Sequence, residues 1–346
     1  MATATISFKP KQVTKKLIGA LAERSRDVIT RRYGLGKDSE QMTLDAIGKI
    51  YGITRERVRQ IENHALAVIR KSKQYTEEIP VFTEIENIIR ELGGIVVEQD
   101  LLDHTSKDKS TQSHINFLLV VGHPFTKIKE DEDFKHRWFI DNQLAEKVHG
   151  AIKKLYSNLK DEDLMSEADM LKSFLEHIED VSEKYKNEEI AKRWLTLSKK
   201  ISKNPLGEWG KSESPNISTK GMRDYAYLVI RRHGSPIHFR EVAKTITEVF
   251  KKKAHIATTH NELIKDPRFV LVGRGLYALA EWGYMSGVVK DVIKKLLEKY
   301  GPLNKEEIVQ KVLKERYVKE NTILINLQNP KYFKKNKEGK YEVVSK

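Results

Sequence analysis

Apolar residues recur at helical spacing along most of the chain. Steps of three and four residues separate the apolar positions of 83–92, 144–159, 167–177 and 288–300, which is typical of helices that bury one face. Short β-branched and aromatic runs lie between these segments and favour brief strands. We therefore predict a mainly α protein, with a helix-turn-helix domain followed by several winged-helix modules, each an α structure with a small β-hairpin.

Two units after residue 217 share one plan. Each has an apolar helix, a Ser-Pro or Gly-Pro turn, a second helix, and a hairpin with a central glycine, which is the order of a winged helix. Gly, Pro, Ser and Asn are frequent just before them and break helices. We predict a helix-turn-helix at 1–75, an acidic, mainly helical middle at 76–202 that resembles a degenerate winged helix, a linker at 203–217, and winged helices at 218–285 and 286–346.

Charge is segregated along the chain in the same pattern. The formal charge of the 346 residues is +14. Residues 1–75 hold 16 Lys and Arg against 7 Asp and Glu, and residues 217–346 hold 27 against 14, whereas the middle holds 20 against 28. Basic ends on either side of an acidic middle favour two regions that face nucleic acid, although solvated charge runs or acidic protein partners are alternatives.

Other residue types limit the possible functions. The chain has no cysteine, no signal peptide and no apolar run of about 18 residues, so we expect a cytoplasmic, nucleoid-associated protein with no membrane partner. Its histidines are scattered rather than spaced as ligands, as at His104, His114, His123 and His136. Its acidic runs lack the nearby lysine or nucleophile of an active site. We therefore predict no catalytic residue, no metal, no cofactor and no enzyme activity.

The clearest motif lies at residues 43–70, TLDAIGKIYGITRERVRQIENHALAVIR. Leu44, Ile47 and Ile50 form an apolar stripe on a first helix. Gly52 supplies a tight turn, and Thr54 is a good N-cap for the helix that follows. This spacing predicts a helix-turn-helix.

The second helix of the motif separates into two faces. At about 100° per residue, the apolar arc holds Val58, Ile61, Ala65, Val68 and Ile69, and the polar arc holds Arg55, Glu56, Arg59 and Gln60. Arginine pairs with guanine, glutamate with cytosine and glutamine with adenine in the major groove, so the polar arc suits base contact. The alternative is a surface helix with internal Arg/Glu pairs.

Residues 21–73 resemble region 4 of the sigma-70 family, which recognises the upstream promoter element. The resemblance rests on an Arg-rich helix, the Tyr33-Gly34-Leu35 turn, and TRERVRQIE at 54–62. It implies base contacts by the four polar-arc residues, and partners that include double-stranded promoter DNA and the bacterial RNA polymerase core, with its β flap as a candidate surface. We expect Thr54 and Arg57 to contact the DNA backbone, with an internal acid as the alternative for Arg57. We find no segment like the family's promoter-melting module.

Residues 222–246 and 266–284 resemble the HARE-HTH domain found in the delta subunit of bacterial RNA polymerase. The matching residues are Pro236, His238, Glu241, Phe269, Gly273, Gly275, Tyr277, Trp282 and Tyr284. We expect His238 to cap a helix, because it stands at a helix start. Arg274 lies between two glycines, which suits a wing tip that touches phosphate. We also expect Lys251, Lys252 and Lys253 to contact the DNA backbone. The basic C-terminus differs from the acidic tail of the delta subunit.

These patterns predict a sigma-like DNA-binding transcription initiation protein that recognises a promoter element and associates with RNA polymerase. The alternative is a free-standing, sequence-specific transcriptional regulator without polymerase contact. Both predictions place sequence recognition on the second helix of the motif at residues 43–70.

Overall fold

The computed structural model describes residues 6–36, 40–178 and 181–344. Its contacts divide the chain into two compact units. Unit 1 comprises Met1–Lys203 with Gly207–Glu213, and unit 2 comprises Asn204–Leu206 with Ser214–Lys346. Helices predominate in both units and the sheets are small and antiparallel, which confirms the predicted mainly α class with helix-turn-helix and winged-helix modules.

Five helices form the first part of unit 1: α1 (Pro10–Gly19), α2 (Glu23–Tyr33), α3 (Leu44–Tyr51), α4 (Arg55–Arg70) and α5 (Lys73–Glu77). Local sequence sets their ends. The Thr43 side chain accepts a hydrogen bond from the Ala46 amide and caps α3, and Gly34 ends α2 in the left-handed conformation.

A winged helix follows in unit 1. Its elements are α6 (Ile79–Glu91), β1 (Ile95–Val97), α7 (Glu98–Thr105), α8 (Lys109–Val121), β2 (Thr126–Ile128) and β3 (Arg137–Phe139). The strands pair antiparallel in the order β1-β3-β2. The middle of the chain therefore begins with a complete winged-helix topology, although its sequence resembles only a degenerate one.

A helical extension completes unit 1. It contains α9 (Asn142–Asn158), α10 (Glu167–Glu176), a 3-10 turn (Glu183–Tyr185), α11 (Glu188–Leu195), β4 (Ile201–Lys203) and β5 (Trp209–Lys211). Phe174 and Trp194 are fully buried in its core. The segment expected to be a linker thus holds strand β5 and the end of β4 as well as the change from unit 1 to unit 2.

One hydrophobic core joins the first five helices to the winged helix of unit 1. Leu17 of α1, Ile29 of α2 and Ile69 of α4 are fully buried in the same cluster as Phe117 and Leu118 of α8. Helix α8 packs against α1, α2 and α4. The expected boundary between residues 75 and 76 therefore does not coincide with a break in the core.

Unit 2 begins with a second winged helix. Its elements are α12 (Met222–His233), β6 (Ile237–His238), α13 (Phe239–Phe250), α14 (Ile256–Lys265), β7 (Phe269–Gly273) and β8 (Leu276–Leu279). The strand order β6-β8-β7 repeats the topology of the first winged helix. A 3-10 turn, Ala280–Trp282, follows β8.

A third winged helix ends the chain. It contains α15 (Val289–Tyr300), α16 (Lys305–Glu315), α17 (Glu320–Leu327), β9 (Phe333–Lys335) and β10 (Tyr341–Val343). An isolated bridge between Leu303 and Tyr341 takes the place of the first strand. Across the described ranges, none of the helices is long and apolar enough to cross a membrane.

Candidate nucleic-acid interface

The turn between α3 and α4 has the geometry that the sequence predicts. Gly52 ends α3 with φ +63°, and the Thr54 hydroxyl accepts a hydrogen bond from the Arg57 amide at 3.2 Å, which confirms the N-cap. Gly48 is a further requirement that sequence reasoning missed. A Cβ at Gly48 would lie 2.6 Å from the Ile53 carbonyl oxygen, so α3 meets the turn too closely for any side chain there.

Helix α4 buries its apolar arc and exposes its polar arc. Val58, Ala65 and Ile69 are fully buried, whereas Ile61 and Val68 are half-buried. The side chains of Arg55, Glu56, Arg59 and Gln60 are all exposed, as are Thr54 and Arg57. The predicted base-contacting residues therefore share one accessible helix face.

The apolar stripe on α3 is narrower than the sequence suggests. Ile47 is fully buried and Leu44 is half-buried, but Ile50 is 50% exposed. Each three-residue step falls about 60° short of a full turn, so Ile50 lies about 120° around the helix from Leu44. That rotation carries Ile50 out of the contact with α4.

Neighbouring side chains pair on the exposed face of α4. Arg59 donates from Nε and Nη2 to the Glu56 carboxylate, at 2.8 and 2.7 Å, and the hydrogen bond lowers the pKa of Glu56. Arg57 donates to the Gln60 side-chain oxygen at 3.0 Å rather than to an internal acid. Because these pairs are solvent-exposed, they are weak and can exchange for contacts with bases.

A buried polar contact holds α4 against α2. The Tyr33 hydroxyl donates to the Glu62 carboxylate at 2.8 Å, and the Arg32 guanidinium lies 3.4 Å from the same carboxylate. Burial and the neighbouring Glu62 raise the pKa of Tyr33 above its usual range. Sequence reasoning missed this pair, although Glu62 lies beside Val58 and Ile69 on the apolar side of the helix.

Basic side chains border the helix-turn-helix on two open grooves. Lys49, Arg55 and Arg57 line one groove, and Arg24 and Arg31 line the other. Cations beside a helix that is predicted to contact bases are suited to the phosphates that flank a groove of DNA. The sequence prediction did not include the second set, because these arginines precede the motif by more than ten residues.

The predicted phosphate-contacting residues of unit 2 lie at two places. Arg274 is exposed in the turn between β7 and β8, where Gly275 has φ +71°, so its predicted place at a wing tip is confirmed. Residues 251–253 are exposed in the connection from α13 to α14, and the Lys252 ammonium lies 4.5 Å from the centre of the Tyr225 ring.

The predicted capping role of His238 is confirmed. It is the N-cap of α13, and its Nδ1 accepts a hydrogen bond from the Arg240 amide at 3.3 Å. The ring centre lies 4.5 Å from that of Phe239. His238 thus has a capping and packing role at the start of the helix.

The model of the family described as "Sigma-70, region 4" matches residues 17–71. Residues 17–71 form a sigma-70 region 4 domain. This match contains all of α2, α3 and α4, and with them the predicted base-contacting face. The assignment of region 4 therefore agrees with both the sequence motif and the geometry.

Curated relatives match a segment about as long as the region 4 domain. RNA polymerase principal sigma factor HrdD of Streptomyces viridifaciens is 49% identical over 55 residues, which are 16% of this chain and 16% of that protein. HrdD of Streptomyces griseus is 47% identical over 55 residues, with the same coverage. RNA polymerase sigma factor SigA of Nostoc sp. is 48% identical over 56 residues, 16% of this chain and 14% of its own. The chain thus spans about a sixth of the length of these relatives.

Proposed function

We propose that this chain is a sigma-like DNA-binding transcription initiation protein, which recognises a promoter element with α4 and works with RNA polymerase. The observation that carries the proposal is the exposed face of α4, directly after a glycine turn and a threonine cap. Arg55, Glu56, Arg59 and Gln60 contact base edges. Their side chains match the donors and acceptors of the major groove, where each good bidentate pair discriminates between bases.

The remaining cations position the protein on the duplex. Thr54 and Arg57 contact the backbone beside the bases, and in unit 2 Arg274 and residues 251–253 contact phosphates. Such contacts fix register and add affinity, but they carry no sequence information. They also make binding depend on salt, because each neutralised phosphate releases counterions.

The experiment for sequence recognition is selection from a randomised duplex pool. The full chain is mixed with the pool at moderate salt, and the bound fraction is sequenced over several rounds. Enrichment of one short element, about as long as one helix contacts, supports the proposal. Recovery of an unbiased pool contradicts it, since a helix that contacts only phosphates enriches no sequence.

RNA polymerase core is the proposed protein partner, and its β flap is the surface that the resemblance indicates. The relatives that support this partner are named as RNA polymerase sigma factors. We further propose that residues 222–284 are a HARE-HTH domain, supported by their winged-helix order and by the wing glycines 273 and 275. On this proposal the protein acts on the nucleoid, in the cytoplasm.

One observation favours the second candidate function, a transcriptional regulator without polymerase contact. The apolar face formed by α1, α2 and α4 is occupied by α8 of the same chain. An apolar partner that docks there must displace α8, at the cost of the buried Phe117 and Leu118 contacts. Pull-down of purified core polymerase by the full chain distinguishes the two: stoichiometric recovery supports the sigma-like function, and its absence supports the regulator.

A further inference from the structure

The third helix of the last winged helix lacks the basic side chains that neutralise phosphates. Helix α17 has the sequence ENTILINL, which contains Glu320 and neither Lys nor Arg. Its most exposed large apolar side chain is Ile325, at 62%. A helix that enters a groove of DNA needs cations for the flanking phosphates and polar side chains for the bases. Helix α17 is therefore a poor groove-binding helix.

The wing of this module, in contrast to α17, is rich in lysine. Residues 331–340, KYFKKNKEGK, hold five lysines and a single acid, Glu338. Lys334 is paired with Glu342, with Nζ and Oε1 3.2 Å apart, and Lys340 is paired with Glu338 at 3.4 Å. Within the described ranges the other three wing lysines form no ion pair; they are exposed, and they are Lys331, Lys335 and Lys337.

The wing is held rigidly on the body of the module. Phe333 is only 3% exposed and packs into the core of α15, α16 and α17. The Tyr341 amide donates to the Leu303 carbonyl at 2.8 Å, and the Leu303 amide donates back at 3.3 Å. A wing fixed in this way loses little conformational entropy when its side chains bind.

The tip of the wing is equally well defined. The Asn336 side-chain oxygen accepts hydrogen bonds from the Glu338 and Lys340 amides, both at 3.0 Å. Gly339 has φ +79°, a conformation that favours glycine. The turn thus joins β9 and β10 in one defined conformation, and most of the lysines on and beside it are exposed to solvent.

We infer that the wing of residues 331–343 binds the phosphate backbone of duplex DNA, without base preference, through Lys331, Lys335 and Lys337. Lysine acts on phosphate as a compact point charge and reads no base. The site goes beyond the proposed function, because it is a second DNA contact that does not depend on base recognition by α4.

The test uses the full chain and a duplex of random sequence. The wing variant carries Lys331→Gln, Lys335→Gln and Lys337→Gln. The matched control carries Lys299→Gln, Lys305→Gln and Lys314→Gln, which remove the same charge from exposed positions of α15 and α16. The slope of log affinity against log salt is measured for each protein, and thermal unfolding checks that each variant remains folded.

In the wing variant, three lost phosphate contacts should reduce the slope by about 2.7, at about 0.9 for each contact. In the control variant, the slope should change by less than about 0.9, the value of one contact. An equal reduction in both variants would mean that net charge alone acts, and an unchanged slope in the wing variant would mean that the wing does not touch DNA. Either result overturns the inference. Binding of single-stranded RNA is measured in the same way, and the inference also fails if the wing variant loses RNA binding but keeps its binding to duplex DNA. Enrichment of a sequence by the wing variant tests α4 separately, so failure of the wing and failure of the proposed function remain distinguishable.

Discussion

The hydroxyl of Tyr33 donates a hydrogen bond to the carboxylate of Glu62, 2.8 Å away in the packed space between α2 and α4. Both residues are only 9% exposed. The contact joins the Tyr33-Gly34-Leu35 turn to the middle of α4. It therefore fixes the orientation of the face that carries Arg55 and Glu56.

Tyr33→Phe tests that contact. The substitution leaves the ring in place but deprives a buried carboxylate of a donor, so we expect a loss of about 1 to 3 kcal/mol in the free energy of unfolding. Urea unfolding of the full chain measures it. The control is Tyr300→Phe, at a side chain that is 50% exposed, where the change should stay within about 0.5 kcal/mol. Equal effects at both positions would show that the Tyr33 hydroxyl contributes nothing.

Phe117→Ala tests the core that α8 shares with the region 4 domain. The ring is fully buried and lies edge-on to Tyr33, with centroids 5.3 Å apart. Truncation should cost about 3 to 5 kcal/mol. Because one core spans both parts, hydrogen exchange should accelerate together in α4 and α6. Faster exchange in α6 alone would show that the two parts fold independently. The control is Leu313→Ala, at a partly exposed position of unit 2, which should leave exchange in α4 and α6 unchanged.

Half-buried His149 should make the stability of unit 1 depend on pH. Its Nε2 accepts a hydrogen bond from Arg137 Nε at 2.8 Å. Burial, and then the charge of Arg137, lower the pKa of His149 to about 4 from its usual 6.5. Between pH 4 and pH 6.5, His149 binds a proton more strongly in the unfolded chain than in the folded one. The neutral ring therefore contributes its full stabilisation above about pH 6.5, and this stabilisation is lost as the pH falls toward 4.

His149→Gln keeps an acceptor for Arg137 and removes the titrating ring. Unfolding measured from pH 4 to pH 7 should therefore depend less on pH in this variant than in the native chain. His255→Gln, at an exposed residue before α14, should leave the dependence as it is. A His149→Gln curve parallel to the native one would refute the assignment.

The lysines between α13 and α14 provide a further prediction. Changing Lys251, Lys252 and Lys253 to Ala should reduce the salt slope for any duplex by up to about 2.7, at about 0.9 for each phosphate contact. The preferred sequence should stay the same, because phosphate contacts do not read bases. Fluorescence anisotropy over a salt series measures the slope, and the Lys299, Lys305 and Lys314 variant described above is the control. A changed sequence preference would place these lysines at bases.

The helix-turn-helix could be predicted from sequence because its determinants are local. Gly52, Thr54 and the spacing of Val58, Ala65 and Ile69 act within 20 residues of one another, and each has one dominant physical role. The order of the winged helices after residue 217 was predictable for the same reason. Their turns carry glycine and proline, which are unfavourable inside helices and strands and therefore mark the turns.

The partners of buried faces could not be predicted in this way. Apolar spacing shows that α8 buries much of its surface, but it does not show that α1, α2 and α4 supply the contact, because many helices present equivalent apolar faces. The Tyr33–Glu62 hydrogen bond joins residues 29 positions apart and has no sequence signature beyond a polar residue on an apolar arc. The proposal that the wing contacts DNA likewise required knowledge of which wing lysines form ion pairs.

The most direct test of the account is the sequence preference of Arg55→Ala and Glu56→Ala in the randomised-duplex selection. Each variant should lose preference at one base position and bind the native element about 5- to 150-fold more weakly, the equivalent of one lost base contact, while binding to random duplex barely changes. Lys73→Ala, at an exposed cation after α4, should keep the native preference. If both variants select the native element unchanged, α4 is not the helix that recognises the DNA sequence.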